Sequence, residues 1–184
     1  MYFNKSNIMP CLNNNHFCEI TSKDERFATI ALSEANKSQM KYHKHGCVAV
    51  VGGHIIEKGF NSERCQSSDG FLQDTCSCHA EVDVMRKLDK RFNKKQPQMS
   101  GRNIKSCGRV NLYVVRQDNR GERFKESAPC SNCSTVMKSL NIKNIIWSNS
   151  EGTLTKCRVR DYTTSHVSQG YRFIDRGMIP REYI

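Results

Sequence analysis

The sequence predicts a three-layer α/β/α domain built on one mixed, five-stranded sheet. Segments with helical hydrophobic periodicity alternate along the chain with short apolar segments that have the length of strands. The 184 residues are in the range of one domain with a substantial core. No internal repeat is found, and no apolar stretch approaches the roughly 20 residues that span a membrane. We expect a flexible arm at 1–20, the folded domain at 21–160 and a C-terminal extension at 161–184.

The first third of the chain predicts one helix followed by a hairpin. The helix is expected to begin near Ser22, which can cap its first turn. Apolar residues then recur at helical spacing: Phe27, Ile30, Ala31, Leu32 and Ala35. Two strands at 46–51 and 54–59 flank Gly52-Gly53, a pair typical of tight hairpin turns.

The middle of the chain predicts a loop, a second helix and a central strand. The loop at 60–78 is rich in Ser, Asp and Gly. The helix is expected to begin at about Cys78, and its apolar side consists of Ala80, Val84, Met85 and Leu88. A polar connection at 96–108 leads to a strand at 110–115, whose continuous apolar character is typical of a buried central position.

The last third predicts a third helix and two strands. Pro129 favours a helix start, because the backbone donor that proline lacks would have no partner in a first turn. The helix carries Cys130, Cys133, Val136, Met137 and Leu140. Strands follow at 145–147 and 154–159. Their short connection cannot hold a parallel crossover, so these two strands should be antiparallel.

The charge and the cysteines indicate the kind of partner and the compartment. A net charge of +11 and a pI near 9.3 favour phosphate-bearing partners, either nucleotides or nucleic acid, although solvated lysines alone would also explain them. Residues 1–5 have no secretory signal pattern. Ten cysteines in such a chain indicate reduced thiols and metal binding, and therefore a cytoplasmic, reducing location.

Three residues form a candidate zinc site. His79 lies 51 residues before Cys130, and Cys133 follows at a spacing that places both thiols on one helical face. Zinc prefers imidazole and thiolate ligands, and three protein ligands leave one coordination position for water. Zinc lowers the pKa of such a water to about 7. Glu81, two residues after His79, is better placed as a proton carrier beside the water than as a ligand.

The two halves of this motif carry a family resemblance. His79-Ala80-Glu81 followed by Pro129-Cys130-Ser131-Asn132-Cys133 resembles the His-x-Glu and Pro-Cys-x-x-Cys signature of the zinc-dependent cytidine deaminase superfamily. The similarity runs from about Lys41 to about Val159 and includes Gly59-Phe60-Asn61. The resemblance implies the family's fold and a zinc cofactor. It further implies that Asn61 contacts a substrate sugar and that the Ala80 N–H contacts the base carbonyl. A homo-oligomer is expected by analogy.

The resemblance leaves three functions open. The first is a hydrolase that deaminates a small cytosine-containing nucleotide or nucleoside, of the deoxycytidylate or cytidine type. The second deaminates a base within RNA or single-stranded DNA. The third is a non-catalytic assembly protein that retains the fold. The antiparallel final strands are associated with free-nucleoside enzymes, whereas His79 in place of a cysteine resembles the deoxycytidylate and polynucleotide enzymes. We expect a small substrate, with a nucleotide favoured by the positive charge.

Two further groups of residues have alternative interpretations. Cys65, Cys76 and Cys78 could form a second, structural zinc site with an upstream histidine, but their spacing favours unpaired thiols. In the tail, Tyr162 and Tyr171 alternate with arginines, a composition that could hold a single nucleic-acid strand. Packing of the tail against the domain is the favoured alternative.

Overall fold

The predicted domain lies almost entirely within the part of the chain that the computed structural model describes, namely residues 18–72, 75–93, 107–118, 120–121 and 123–176. Most of the predicted arm at 1–20 and most of the connection at 96–108 lie outside these residues, as do the last eight residues of the extension. In the residues described, no helix is both long and apolar enough to cross a membrane.

The predicted mixed sheet is confirmed, with one short additional strand. Its strands are β1 (His45–Val51), β2 (His54–Phe60), β3 (Asn111–Gln117), β4 (Phe124–Lys125), β5 (Asn144–Ser148) and β6 (Leu154–Arg158). The order is β2-β1-β3-β5-β6, and β4 pairs with β3 outside this path. The β3–β5 pair is parallel, and the other pairs, including β5–β6, are antiparallel. The two-residue β4 was not predicted, because it is too short to have a period.

Helices cover both faces of this sheet and produce the three layers. They are α1 (Ser22–Ala35), α2 (Ala80–Asn93), α3 (Ser131–Ser139) and α4 (Gln169–Asp175), with a 3₁₀ turn at Val159–Asp161. Helix α1 packs through Phe27 and Ala31 on one face, against strand residues such as Val48. On the other face, α2 and α3 contribute Met85 and Met137 to the larger core.

Helix α1 begins at Ser22, as predicted, although its cap residue differs, and the starts of α2 and α3 differ by one or two residues from the predicted ones. The cap of α1 is Thr21 rather than Ser22, because the Thr21 side chain accepts from the Asp24 N–H while Asp24 binds back to the Thr21 N–H. Helix α2 begins at Ala80 rather than at Cys78, and α3 begins at Ser131 after the cap residue Cys130.

Close packing of α1 on the sheet depends on Gly46. A Cβ at this position would overlap the carbonyl oxygen of Ala31 and lie 2.6 Å from the Ala35 nitrogen. The helix backbone therefore lies directly on β1, and no larger residue fits between them. This contact fixes the loop between α1 and β1, which borders the candidate site described below.

A buried carboxylate ties α1 to the sheet. Asp24 is 3% exposed, and it accepts hydrogen bonds from the Tyr113 hydroxyl (2.7 Å) and the Lys156 ammonium (3.0 Å). Burial by itself would raise the pKa of Asp24, but the hydrogen bonds from Thr21, Tyr113 and Lys156 outweigh it and lower the pKa. Asp24 is therefore a charged anchor that joins α1 to β3 and β6.

Replacing Asp24 by Asn is expected to lower the free energy of unfolding by about 2 kcal/mol at pH 7, because hydrogen bonds to a charged group are lost. The pKa of Asp24 is lower in the folded chain than its ordinary value of 3.8, so its contribution is complete above that value and is lost as the pH falls through the folded pKa. The difference between wild type and Asp24→Asn should therefore shrink in acid. Urea unfolding between pH 7 and pH 3 measures it.

The matched control is Asp161→Asn, which changes an exposed aspartate. Its effect should stay within about 0.5 kcal/mol at every pH. A difference for Asp24→Asn that is the same at low and neutral pH would contradict the role of the charge.

Candidate active site

The site residues lie at the starts of two helices. His79 directly precedes α2, Cys130 caps α3, and Cys133 lies in the first turn of α3. Two backbone hydrogen bonds fix the segment that leads into α2. The Ser62 N–H donates to the Cys78 carbonyl (3.0 Å), and the Cys78 N–H donates to the Ser62 carbonyl (2.9 Å). The end of the loop at 60–78 is thereby fixed just before His79.

The three predicted ligands meet in space. His79 Nδ1 lies 3.3 Å from Cys133 Sγ and 3.7 Å from Cys130 Sγ. All three ligand atoms lie within 4.8 Å of one another. Zinc–ligand bonds of about 2.0–2.3 Å in a tetrahedral site separate such atoms by roughly 3.5–3.8 Å, so the group fits zinc. Among the described residues it is the only group of three or more potential ligands that could hold a metal ion.

The two thiols are chemically unequal. Cys130 and Cys133 are 3% and 1% exposed. A hydrogen bond from the Cys133 thiol, aided by His79 and opposed by burial, lowers the pKa of Cys130 to about 4. The same hydrogen bond, together with burial, raises the pKa of Cys133 well above its ordinary value. Cys130 is thus a thiolate at neutral pH, and a metal ion must displace a proton from Cys133.

His79 and Glu81 complete the electrostatic pattern. Burial opposes a charge on His79, but the hydrogen bond with Cys130 and the proximity of Glu81 raise its pKa. Glu81 is 5% exposed, and burial raises its pKa while the nearby His79 opposes the shift. A carboxyl group whose pKa moves towards neutrality can both accept and donate a proton. Glu81 also lies in hydrogen-bond contact with Cys133, and so beside the ligand group.

Asn61 has a structural role that the sequence did not indicate. This residue is 7% exposed; its Oδ1 accepts from the His45 N–H (2.8 Å), and its Nδ2 donates to the His43 carbonyl (3.0 Å). The carboxamide therefore holds the loop before β1, and it has one further N–H and lone pair for another partner. The Ala80 N–H belongs to the first turn of α2, where backbone donors have no partner within the helix.

Two aromatic or imidazole residues near the site were missed by sequence reasoning. His45 is neutral at physiological pH, since burial lowers its pKa to about 3. Tyr171 of the C-terminal extension lies with its ring edge-on to His79, at a centroid distance of 6.4 Å. The alternation of tyrosines and arginines in the tail indicates nucleic-acid contact for Tyr171 and not this position. Neither residue has a local signal for its place at the site, because each approaches the site through tertiary contacts.

The second zinc site suggested for Cys65, Cys76 and Cys78 is not supported by the geometry. Within the described ranges these thiols do not assemble with a histidine into a potential metal group. Cys78 directs its Sγ to the His79 carbonyl (3.5 Å), and Cys76 directs its Sγ to the Gly170 carbonyl (3.3 Å). All three are free thiols, as the favoured alternative predicted.

Comparison with solved structures found several chains that are similar to this one. Cytidine deaminase from Burkholderia pseudomallei has 20% sequence identity over 77% of this chain and 95% of that chain, with a TM-score of 0.50. A dCMP deaminase from the cyanophage S-TIM5, solved with dCMP and dUMP, has 19% identity over 72% and 85% of the two chains, with a TM-score of 0.46. A tRNA:A34 deaminase has 18% identity over 70% and 78%, with a TM-score of 0.43. No curated protein matches the chain in sequence.

A family model identifies the chain. The cytidine and deoxycytidylate deaminase zinc-binding region matches residues 21–149, about 70% of the sequence. The matched residues include His79, Glu81, Cys130 and Cys133, which the fold brings to one place. Together with this geometry, the match shows that the chain belongs to the cytidine and deoxycytidylate deaminase family.

Proposed function

We propose that this chain is a zinc-dependent hydrolytic deaminase that converts a small cytosine-containing nucleotide or nucleoside to its uracil product with release of ammonia. The observation that carries the proposal is the group of His79, Cys130 and Cys133, whose ligand atoms lie within 4.8 Å beside the buried carboxyl group of Glu81. Membership of the deaminase family supports the reaction type. The choice of substrate is part of the proposal.

Zinc would be held by His79, Cys130 and Cys133. When bound, it makes a nucleophile available from water at neutral pH. The chain prepares the site in two ways. Cys130 is already a thiolate, and both cysteines lie at the start of α3, where the helix dipole favours negative charge.

Glu81 moves the protons in this proposal. Its carboxylate accepts a proton from the attacking water and delivers it to the ring nitrogen next to the amino-bearing carbon. After the water oxygen has added to that carbon, Glu81 takes the remaining proton of this hydroxyl group and passes it to the amino group, which leaves as ammonia while the carbonyl forms. Burial suits this role, because it holds the pKa of the carboxyl group above its ordinary value.

The substrate would be oriented by groups around the same helix start. The Ala80 N–H would donate to the carbonyl of the base, since a first-turn donor is unused by the helix. Asn61 would contact the sugar with the N–H and lone pair that the loop before β1 does not use. Its fixed orientation would position the sugar without a loss of side-chain freedom on binding.

A positively charged groove supports a substrate with a phosphate. A cavity of about 290 Å³ is lined by residues that include Lys41, His43, Lys44 and Arg120. It adjoins Asn61, because the His43 carbonyl accepts the Asn61 hydrogen bond. In the part of the chain described, neither the two lysines nor Arg120 belongs to an ion pair. Asp118 also lines the cavity, but Lys41, Lys44 and Arg120 outnumber its carboxylate. The net positive charge supports a phosphate on the sugar and therefore a nucleotide over a nucleoside.

Deamination of a base within RNA or single-stranded DNA is the second candidate function. Tyr42 lines the same groove with 61% of its surface exposed, and the Lys41 ammonium lies 5.4 Å from its ring centroid. Exposed aromatic rings among cations suit the stacking of a flanking base.

The proposal extends to the domain bounds, the oligomeric state and the location of the protein. We propose a deaminase domain at 21–160 with an arm at 1–20 and an extension at 161–184. We also propose a homo-oligomer, which light scattering would test. The nine free cysteines among the described residues are consistent with a reducing, cytoplasmic location.

Replacing Cys133 by Ala is expected to remove bound zinc, because two ligands hold the ion far less tightly than three. Elemental analysis of the purified wild-type chain should give about one zinc per chain at this three-ligand site. Cys157→Ala is the matched control, since Cys157 is similarly buried (2% exposed) but lies in β6. Full zinc content in Cys133→Ala would contradict the ligand assignment.

Replacing Glu81 by Gln is expected to lower the turnover number by about 10²–10⁴-fold with zinc retained, because the proton carrier is lost. The measurement is uracil product by chromatography from cytidine, deoxycytidine, their monophosphates, a single-stranded oligonucleotide and a tRNA. Glu151→Gln, in the exposed β5–β6 turn, is the matched control. Unchanged turnover in Glu81→Gln would contradict its role.

The same panel separates the candidate functions. Turnover of the oligonucleotide or the tRNA alone would favour the second function. Absence of turnover on every substrate by the zinc-loaded wild type would favour a non-catalytic assembly protein.

Replacing Lys44 by Ala is expected to raise KM about five- to tenfold for deoxycytidine monophosphate and to leave KM for deoxycytidine unchanged, because only the nucleotide presents a phosphate. Added salt should reduce the difference. Lys138→Ala makes the same charge change at an exposed position of α3 and should affect neither substrate. Equal effects of Lys44→Ala on both substrates would exclude a phosphate contact.

A further inference from the structure

The chain beyond the family-matched region crosses the starts of both helices that carry the site residues. The match ends at residue 149, whereas residues 162–175, here called the C-terminal strap, contact the site. On the α3 side, the Tyr162 hydroxyl donates to the Pro129 carbonyl (2.7 Å), and the Ser131 N–H donates to the His166 carbonyl (2.8 Å). The strap is thus bonded to the residues on both sides of Cys130.

The strap also packs closely against the segment before α2. The Cys76 thiol donates to the Gly170 carbonyl at 3.3 Å. A Cβ at Gly170 would lie only 3.0 Å from the Cys76 Cβ, so glycine allows α4 to approach this loop. The α4 start is fixed by Ser168, whose Oγ accepts from the Tyr171 N–H at 3.5 Å. These contacts determine where the next side chain, that of Tyr171, is placed.

Tyr171 connects the two helix starts directly. Its ring meets the His79 ring edge-on, with centroids 6.4 Å apart and an interplanar angle of 79°. Its hydroxyl also interacts with the side chain of Asn132, which lies between Cys130 and Cys133. His79 is only partly buried, unlike the two cysteines, so its imidazole depends more on a neighbouring side chain for its orientation.

We propose that Tyr171 is a positioning residue of the zinc centre, and that the C-terminal strap belongs to the active site. The Tyr171 ring holds the His79 imidazole in the orientation in which its Nδ1 faces the two sulfurs. A ligand that is oriented before the metal binds loses less conformational freedom on binding, and groups that orient a ligating histidine commonly change metal affinity. Edge-on aromatic contacts at this separation are attractive. The inference concerns metal binding and does not depend on the identity of the substrate.

The test measures zinc affinity of the full chain by competition with a chelator of known affinity. Tyr171→Ala should raise the zinc dissociation constant about tenfold, the lower end of the effects seen for groups that orient metal ligands. Tyr171→Phe should remain close to wild type, because it keeps the ring. Phe173→Ala is the matched control, since it removes an aromatic ring from the same short helix α4.

A spectroscopic measurement separates positioning from general loosening of the fold. The cobalt-substituted chain should show altered visible absorption in Tyr171→Ala and unchanged absorption in Phe173→Ala, because the absorption reports ligand geometry. Wild-type affinity and an unchanged spectrum in Tyr171→Ala would overturn the proposal. Equal weakening by Phe173→Ala, or by Tyr171→Phe, would also overturn it, since the ring contact with His79 would not be the cause.

A second variant keeps the proposal testable if Tyr171→Ala does not fold. Gly170→Ala places a methyl group against Cys76 and should displace α4, and with it Tyr171, by a few tenths of an ångström. We expect weaker zinc binding and a shifted cobalt spectrum; wild-type values would overturn the proposal. A chain that binds zinc in this Tyr171-dependent way but deaminates nothing would contradict the proposed function alone.

Discussion

The meeting of two helix starts at one edge of the sheet is the constraint on which the site depends. Strand β1 runs antiparallel to both β2 and β3, and its first residues pair with Phe60 at the end of β2 and with Arg116 near the end of β3. The chain therefore leaves β2 and β3 at the same edge. A loop leads from β2 to the start of α2, and the chain reaches the start of α3 from β3 through the short strand β4. Residues 51 positions apart therefore contribute to one centre. A one-residue change in strand register would turn every side chain of a strand to the opposite face.

Local environment, rather than residue type, separates the functional groups from similar groups elsewhere. Cys107 is buried among apolar neighbours, and burial raises its pKa to about 11, whereas the hydrogen bond from Cys133 lowers the pKa of Cys130 to about 4. The buried carboxyl groups of Glu81 and Asp24 differ in the same manner. Burial raises the pKa of Glu81, while the hydrogen bonds to Asp24 outweigh burial and lower its pKa. Asp24 is therefore suited to anchoring and Glu81 to proton transfer.

The parts that could be predicted from the sequence are those with a local signal. Hydrophobic period and the Gly52-Gly53 turn predict α1, α2, α3, the hairpin and their order, and the short connection after β5 predicts the antiparallel β5–β6 pair. Helix α4, which lies in the extension at 161–184, was not predicted. The ligand set is equally local, since each half of the motif lies within five residues. Strand β4 could not be predicted from two residues. The cap of α1 was misplaced by one position, because Thr21 and Ser22 are both capable caps and only the orientation of Asp24 distinguishes them.

Residues whose role depends on distant partners escaped prediction. From the sequence, Asn61 is typical both of a turn and of a residue that contacts a sugar. Only the fold shows that its carboxamide is hydrogen-bonded to the backbone of His43 and His45. Tyr162 and Tyr171 alternate with arginines in a pattern typical of nucleic-acid contact. Instead, Tyr162 binds the Pro129 carbonyl, 33 residues away, and Tyr171 lies against His79.

The residues of the centre and the segments that border it differ in how far their positions can vary. Cys130, Cys133 and Glu81 lie at helix starts and are buried in the core, and His79 beside them is partly buried, so small changes of position would disrupt this group. We therefore expect substrate choice to depend on segments that border the centre without forming it. Two such segments are the loop with Lys41 and Lys44 on the Asn61 side and the C-terminal strap on the His79 side. Asn61 holds the first segment through its hydrogen bond to the His43 carbonyl, and the Tyr162 hydroxyl holds the strap through its hydrogen bond to the Pro129 carbonyl. Sequence changes in these segments can therefore alter the entrance to the site only if His79, Cys130 and Cys133 stay in place.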